Sequence, residues 1–148
     1  MIKSEKILVL DASIAVAWFF SDEPLHSAAL EVRHTIRESP AHFAVPTLIH
    51  SEMIHALTRK SGCNRLFVRS ALDLFLRLGI PSFSLSSRAL QYACDWACRG
   101  MSGYDATYAA LAEDIGCKWL TGDAKAAKIL GGSRVVLLEP AGQPMPGS

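Results

Sequence analysis

Ile7-Leu8-Val9-Leu10-Asp11 decides how this chain is read. Four apolar residues without polar alternation predict a short strand covered on both faces, as in a parallel sheet. A carboxylate at the end of such a strand is costly unless it is paired, hydrogen-bonded or bound to a metal. Three further acids stand in apolar surroundings. Glu52 lies inside Leu48-Ile49-His50-Ser51-Glu52-Met53-Ile54, Asp105 opens Tyr104-Asp105-Ala106-Thr107-Tyr108-Ala109, and Asp123 ends Trp119-Leu120-Thr121-Gly122-Asp123. If the fold gathers the four, they form an oxygen-rich pocket suited to a hard divalent cation such as Mg²⁺ or Mn²⁺.

Strand and helix signals alternate along the rest of the chain. Helices are expected over 13–20 and from Glu23-Pro24 to Ser39-Pro40, then a strand over 43–45 stopped by Pro46. A helix over 47–60 breaks at Ser61-Gly62. The next begins at Asn64 or Arg65, turns Leu66, Ala71, Leu74, Phe75 and Leu78 inward, and ends at Gly79. A strand over 80–85 and a helix over 87–99 follow. Then come a helix over 104–115 closed by Gly116, a strand over 119–121, a helix over 124–130 and a strand over 135–138. This alternation predicts an α/β fold, a three-layer α/β/α sandwich on a mostly parallel five-stranded sheet. Ligands gather at the carboxyl ends of such strands, where Asp11 and Asp123 stand. Residues 1–139 are expected to form one domain, and 140–148, rich in Pro and Gly, a loose tail.

Composition narrows the function classes. Half the 148 residues are hydrophobic and a fifth are charged, a globular balance. The net charge is +1, so nucleic-acid binding would need a local basic patch. Lys3 and Lys6 before the apolar stretch 7–20 imitate a secretion signal, but Asp11 interrupts it and Ser-Asp-Glu-Pro follows Phe20. The expectation is a cytoplasmic protein with no signal and no membrane span. Cys63, Cys94, Cys98 and Cys117 lack zinc-site spacing. They are expected as reduced thiols, with Cys94 and Cys98 packed as small apolar residues.

Each acid has a structural alternative to weigh. Asp11 and Asp123 precede helices and can serve as N-caps. Asp105 stands three residues after Ser102, a capping-box spacing. Glu52 fits a structural role least well, because it shares a helix face with Leu48, Ile49 and Ala56. No histidine pair has ligand spacing; His50 and His55 are five apart. There is no G-x-S-x-G nucleophile motif or phosphate-binding P-loop. Trp18, Phe19, Phe20, Tyr104 and Tyr108 are expected in the core rather than as stacking platforms for bases.

Taken in order, Leu10-Asp11-Ala12-Ser13, Ser51-Glu52 with Ala56-Leu57, Tyr104-Asp105-Ala106-Thr107-Tyr108 and Thr121-Gly122-Asp123 resemble a PIN-domain protein of the bacterial VapC toxin type. The resemblance runs from Ile7 to about Leu138. It implies a Mg²⁺- or Mn²⁺-dependent endoribonuclease that is the toxin of a type II toxin–antitoxin module, restrained by a cognate antitoxin and forming a homodimer. It maps the acidic quartet onto Asp11, Glu52, Asp105 and Asp123, with supporting roles for Thr121 and Ser13. Asp11 and Asp105 are expected to touch the metal most directly, Asp123 and Glu52 directly or through water. One of these carboxylates would orient the attacking water.

An RNA backbone needs cations beside the cleft. Lys125, two residues past Asp123, is the leading candidate, with Arg59, Lys60, Arg65, Arg69 and Lys128 behind it. Two alternatives compete. A phosphatase with an aspartate nucleophile at Asp11 would want a second Asp two residues on, where this chain has Ser13. A PIN-like module that binds RNA or a partner but cleaves little would not need the complete acidic set.

Overall fold

The computed structural model describes residues 7–141. Five parallel strands form one sheet in the order β3-β2-β1-β4-β5. They are β1 (Leu8–Leu10), β2 (Phe43–Pro46), β3 (Ser82–Phe83), β4 (Lys118–Thr121) and β5 (Val135–Leu137). Seven helices flank the sheet: α1 (Ala12–Ala17), α2 (His26–Glu38), α3 (Leu48–Lys60), α4 (Arg65–Arg77), α5 (Ser87–Cys98), α6 (Gly103–Ile115) and α7 (Ala124–Leu130). The expected α/β sandwich with a parallel sheet is therefore present, and all its strand pairs are parallel.

The strand order positions the site. The chain builds outward from β1 through β2 to β3, then returns to add β4 on the other side of β1. The β1–β4 junction is thus the switch point of the sheet, where the crevice beyond the strand ends opens. Leu10 pairs with Leu120, which brings Asp11 beside Thr121, and the Asp11 amide donates to the Leu120 carbonyl at 3.0 Å. Val9, Leu10, Val45 and Trp119 are fully or almost fully buried, the burial that uninterrupted apolar strands require.

Helix packing completes the frame. α1 packs with α2 and α3, α3 with α4, and α5 with α6, while α6 also lies on β1, β2 and β4. The Trp18 indole donates to the Ala29 carbonyl at 2.8 Å, joining α1 to α2 inside the core. Gly116 closes α6 at φ 83°, a left-handed conformation that glycine adopts without a Cβ penalty.

Several expectations need correction. Leu66 and Leu74 do not face inward: they are 75% and 54% exposed, and α4 buries Val68, Ala71 and Phe75 instead. Arg65, Arg69, Asp73 and Arg77 share one side of α4 opposite Val68, Ala71 and Phe75, and Leu66 falls on that polar side. Cys94 and Cys98 are exposed, because α5 buries the stripe carrying Ala89 and Trp96. Tyr104, at the start of α6, is exposed rather than in the core. The third strand shrinks to Ser82–Phe83 at the sheet edge, and α1 stops at Ala17 instead of reaching residue 20. From residue 142 onward the tail lies outside the described residues. Among the described residues, no helix is long and apolar enough to cross a membrane.

The orientation of α4 is directly testable. Phe75→Ala should cost about 3–5 kcal/mol in denaturant unfolding, the scale for emptying a buried aromatic site. Leu74→Ala should stay within about 0.5 kcal/mol, as surface changes do. Equal losses for the two would contradict this orientation.

Candidate active site

Asp11 ends β1 and caps α1. Its Oδ2 accepts from the Ser13 amide at 3.3 Å and from the Ser13 hydroxyl. The side chain is buried, and that burial raises its pKa to about 6, with the Asp105 charge adding to the effect. Hydrogen bonds from Ser13 and the hydroxyl of Thr121 offset part of the rise. Thr121 is fully buried at the end of β4, and its Oγ1 accepts from the Asp123 amide at 3.1 Å. The turn through Gly122 then delivers Asp123, exposed, as the cap of α7; its Oδ1 accepts from the Lys125 and Ala126 amides at 3.0 and 3.1 Å.

Asp105 lies in the first turn of α6, half-buried. Its amide donates to the capping Ser102 hydroxyl at 3.0 Å. Burial and the nearby Asp123 charge raise its pKa, against a lowering influence from Ser102. Glu52 sits mid-way along α3 and is also half-buried. Its pKa is raised by burial first and then by Asp11 and Asp105, against the lowering effect of the Tyr108 hydroxyl. The Glu52 Oε1 atom is buried and has no hydrogen-bond partner.

The four acids share one cleft of about 700 Å³, lined also by Ser13, Leu25, His55, Lys60 and Tyr104. Among the described residues, none of the four forms an ion pair. The capping readings of Asp11 and Asp123 are correct as local structure, yet both side chains also line the cleft. Two observations bear on a metal. An unpartnered buried carboxylate oxygen and several like charges with raised pKa values suit a hard cation. Against this, no group of three or more acidic, His or Cys side chains among the described residues is drawn together tightly enough to hold an ion. The arrangement fits an ion gripped by one or two carboxylates that keeps much of its water, as Mg²⁺ does.

The cations divide. Lys60 lines the cleft, where it pairs with Glu23 and lies 5.5 Å from the Phe20 ring centre. Arg59 lines a smaller neighbouring hollow with His55 and Lys60. Arg65 and Lys125 are exposed and line neither. The sequence reading missed Glu23, which a loop delivers without any local signal. It also missed His55, although its three-residue spacing from Glu52 on α3 would have marked it.

The PIN domain family model matches residues 8–131. The chain belongs to the PIN-domain family. It is 33% identical over 124 residues to VapC ribonuclease Mb0985 of Mycobacterium bovis and to ribonuclease VapC9 of Mycobacterium tuberculosis, alignments that cover 79% of this chain and 86% of each relative. Its PIN fold is shared with VapC20 of M. tuberculosis, a sarcin–ricin loop cleaving toxin (TM-score 0.69, 17% identity, 90% of this chain and 99% of that one). It is shared too with VapBC2 from Rickettsia felis, solved bound to a DNA fragment from their promoter (TM-score 0.63, 15% identity, 82% and 91%).

The buried Asp11 ties stability to pH. Its folded-state pKa, about 6, lies above that of an unfolded aspartate. The stability it contributes is therefore fully present below about pH 4 and is lost as pH rises through about 6. In chelator at pH 7.5 the charged form should cost the fold up to about 3 kcal/mol. Calorimetric melts in chelator should show wild type losing stability relative to Asp11→Asn between pH 4.5 and 7.5. Parallel curves for the two proteins would contradict this burial.

Proposed function

We propose that this PIN-domain protein is a divalent-metal-dependent endoribonuclease, the toxin of a type II toxin–antitoxin pair. The observation that carries the reading is the convergence of Asp11, Glu52, Asp105 and Asp123 on one cleft at the sheet's switch point. Identity to VapC ribonucleases over most of the chain supports the same reaction class. In this reading Asp11 and Asp105 hold Mg²⁺ or Mn²⁺ directly, and Asp123 and Glu52 do so directly or through water. When bound, such an ion acidifies water and offsets the charge of phosphate oxygens.

The chain's own residues do the rest. Ser13 keeps the Asp11 carboxylate turned to the cleft by donating to it, and Thr121 stands beside it. One of the four carboxylates orients the attacking water and takes its proton. Lys60, released from its pair with Glu23, and Arg59, with Lys125 and Arg65 further out, meet the RNA backbone. A VapB-type antitoxin is the expected partner, as the paired VapBC2 structure suggests by analogy. A homodimer and a cytoplasmic location complete the proposal. Exposed Leu74, Leu76, Phe83 and Leu90 leave apolar surface for such contacts.

Purified protein with Mn²⁺ should cleave RNA. Asp11→Asn should slow cleavage roughly 10²-fold or more, the scale of losing a positioned catalytic group, without lowering the melting temperature measured in chelator. Sequencing the RNA ends made by wild type but not by the variant gives the cleavage site. Wild-type rates in Asp11→Asn would overturn the assignment.

A further inference from the structure

We infer that Tyr108 is a positioning residue that fixes Glu52 within the acidic cleft, an inference that rests on the metal-site reading above. Tyr108 lies on α6 three residues after Asp105, and its side chain is fully buried. Its ring stacks on Trp119 of β4, with centres 6.0 Å apart and planes 18° from parallel. The ring is therefore clamped between a helix and the sheet, and its hydroxyl has little freedom.

Three buried side-chain polar atoms lack a hydrogen-bond partner among the described residues: the Tyr108 hydroxyl, Glu52 Oε1 and the Trp119 indole nitrogen. Glu52 Oε1 is the one that can only accept, and the Tyr108 hydroxyl can donate to it. The Tyr108 hydroxyl is close enough to the Glu52 carboxylate, and to the Ala12 amide at the start of α1, for each to influence it. Burying the Tyr108 hydroxyl or Glu52 Oε1 unpaired is unfavourable, which favours their pairing. A phenylalanine would fill the same core space without burying a hydroxyl. The hydroxyl is thus accounted for by what it faces rather than by packing.

The consequence is directional. Of the two Glu52 oxygens, only Oε1 is buried without a partner, while the residue itself lines the cleft. A hydrogen bond from Tyr108 to Oε1 holds the carboxylate so that its other oxygen is offered to the cleft. It also links α6, which carries Asp105, to α3, which carries Glu52. Groups that orient metal-binding carboxylates in this way act through their neighbours and touch neither metal nor substrate.

The test uses Tyr108→Phe and Glu52→Ala in the full chain, with Mn²⁺ alone as the calorimetric probe. Tyr108→Phe should weaken Mn²⁺ binding about tenfold, as loss of an outer partner does. It should lower kcat while KM for RNA stays within about twofold, because ground-state RNA binding does not use the hydroxyl. In chelator, the melting-temperature changes of the two single variants should not add in the double variant, since both remove one contact. Wild-type Mn²⁺ affinity and kcat in Tyr108→Phe, or additive changes in chelator, would overturn the inference. If wild type itself shows no Mn²⁺ binding that Asp11→Asn abolishes, the metal-site reading fails and takes this inference with it. That failure is visible before any Tyr108 variant is made.

Discussion

Like charge confined at the end of a buried strand is the constraint from which the rest of this structure follows. Asp11 is buried, and Asp105 and Glu52 are half-buried beside it, each raising the pKa of a neighbour or having its own raised. No ion pair relieves them among the described residues. A fold selected for stability alone would replace such groups with apolar ones. Their retention in one cleft makes sense if a cation joins them, which then stabilises the folded state by mass action.

The sheet topology makes the confinement unavoidable. Because β4 pairs with β1 from the opposite side to β2, the ends of β1 and β4 meet at the switch point and bring Asp11, Thr121 and Asp123 together. The same acids serve as helix caps for α1 and α7. Capping and site-building are therefore not rival explanations. The cap anchors the backbone of each acid, and the side chain still faces the cleft. Glu52 and Asp105 arrive from helices instead, and so depend on how α3 and α6 pack.

Much of this was legible in the sequence. Uninterrupted apolar runs such as Leu8-Val9-Leu10 marked the parallel strands, and Ser102, Asn64 and Gly116 marked helix ends. Glu52 stood out because no surface role suited its helix face. The facing of α4 was legible but misassigned: Arg65, Arg69, Asp73 and Arg77 mark a polar side opposite Val68, Ala71 and Phe75, and Leu66 lies on that polar side. Tyr108 was correctly read as core, yet burial said nothing of what its hydroxyl meets. Glu23 reaches the cleft from a loop, and loop geometry leaves no periodic trace. Similarity to VapC ribonucleases adds the reaction class, which charge and burial alone do not specify.

The central claim is that the four carboxylates form one cation site. Anomalous diffraction from a crystal grown with Mn²⁺ tests it most directly. The account predicts a single dominant manganese peak in the cleft beside Asp11, lost in Asp11→Asn. A cleft without a peak at saturating Mn²⁺, or a peak that persists in the variant, would contradict it.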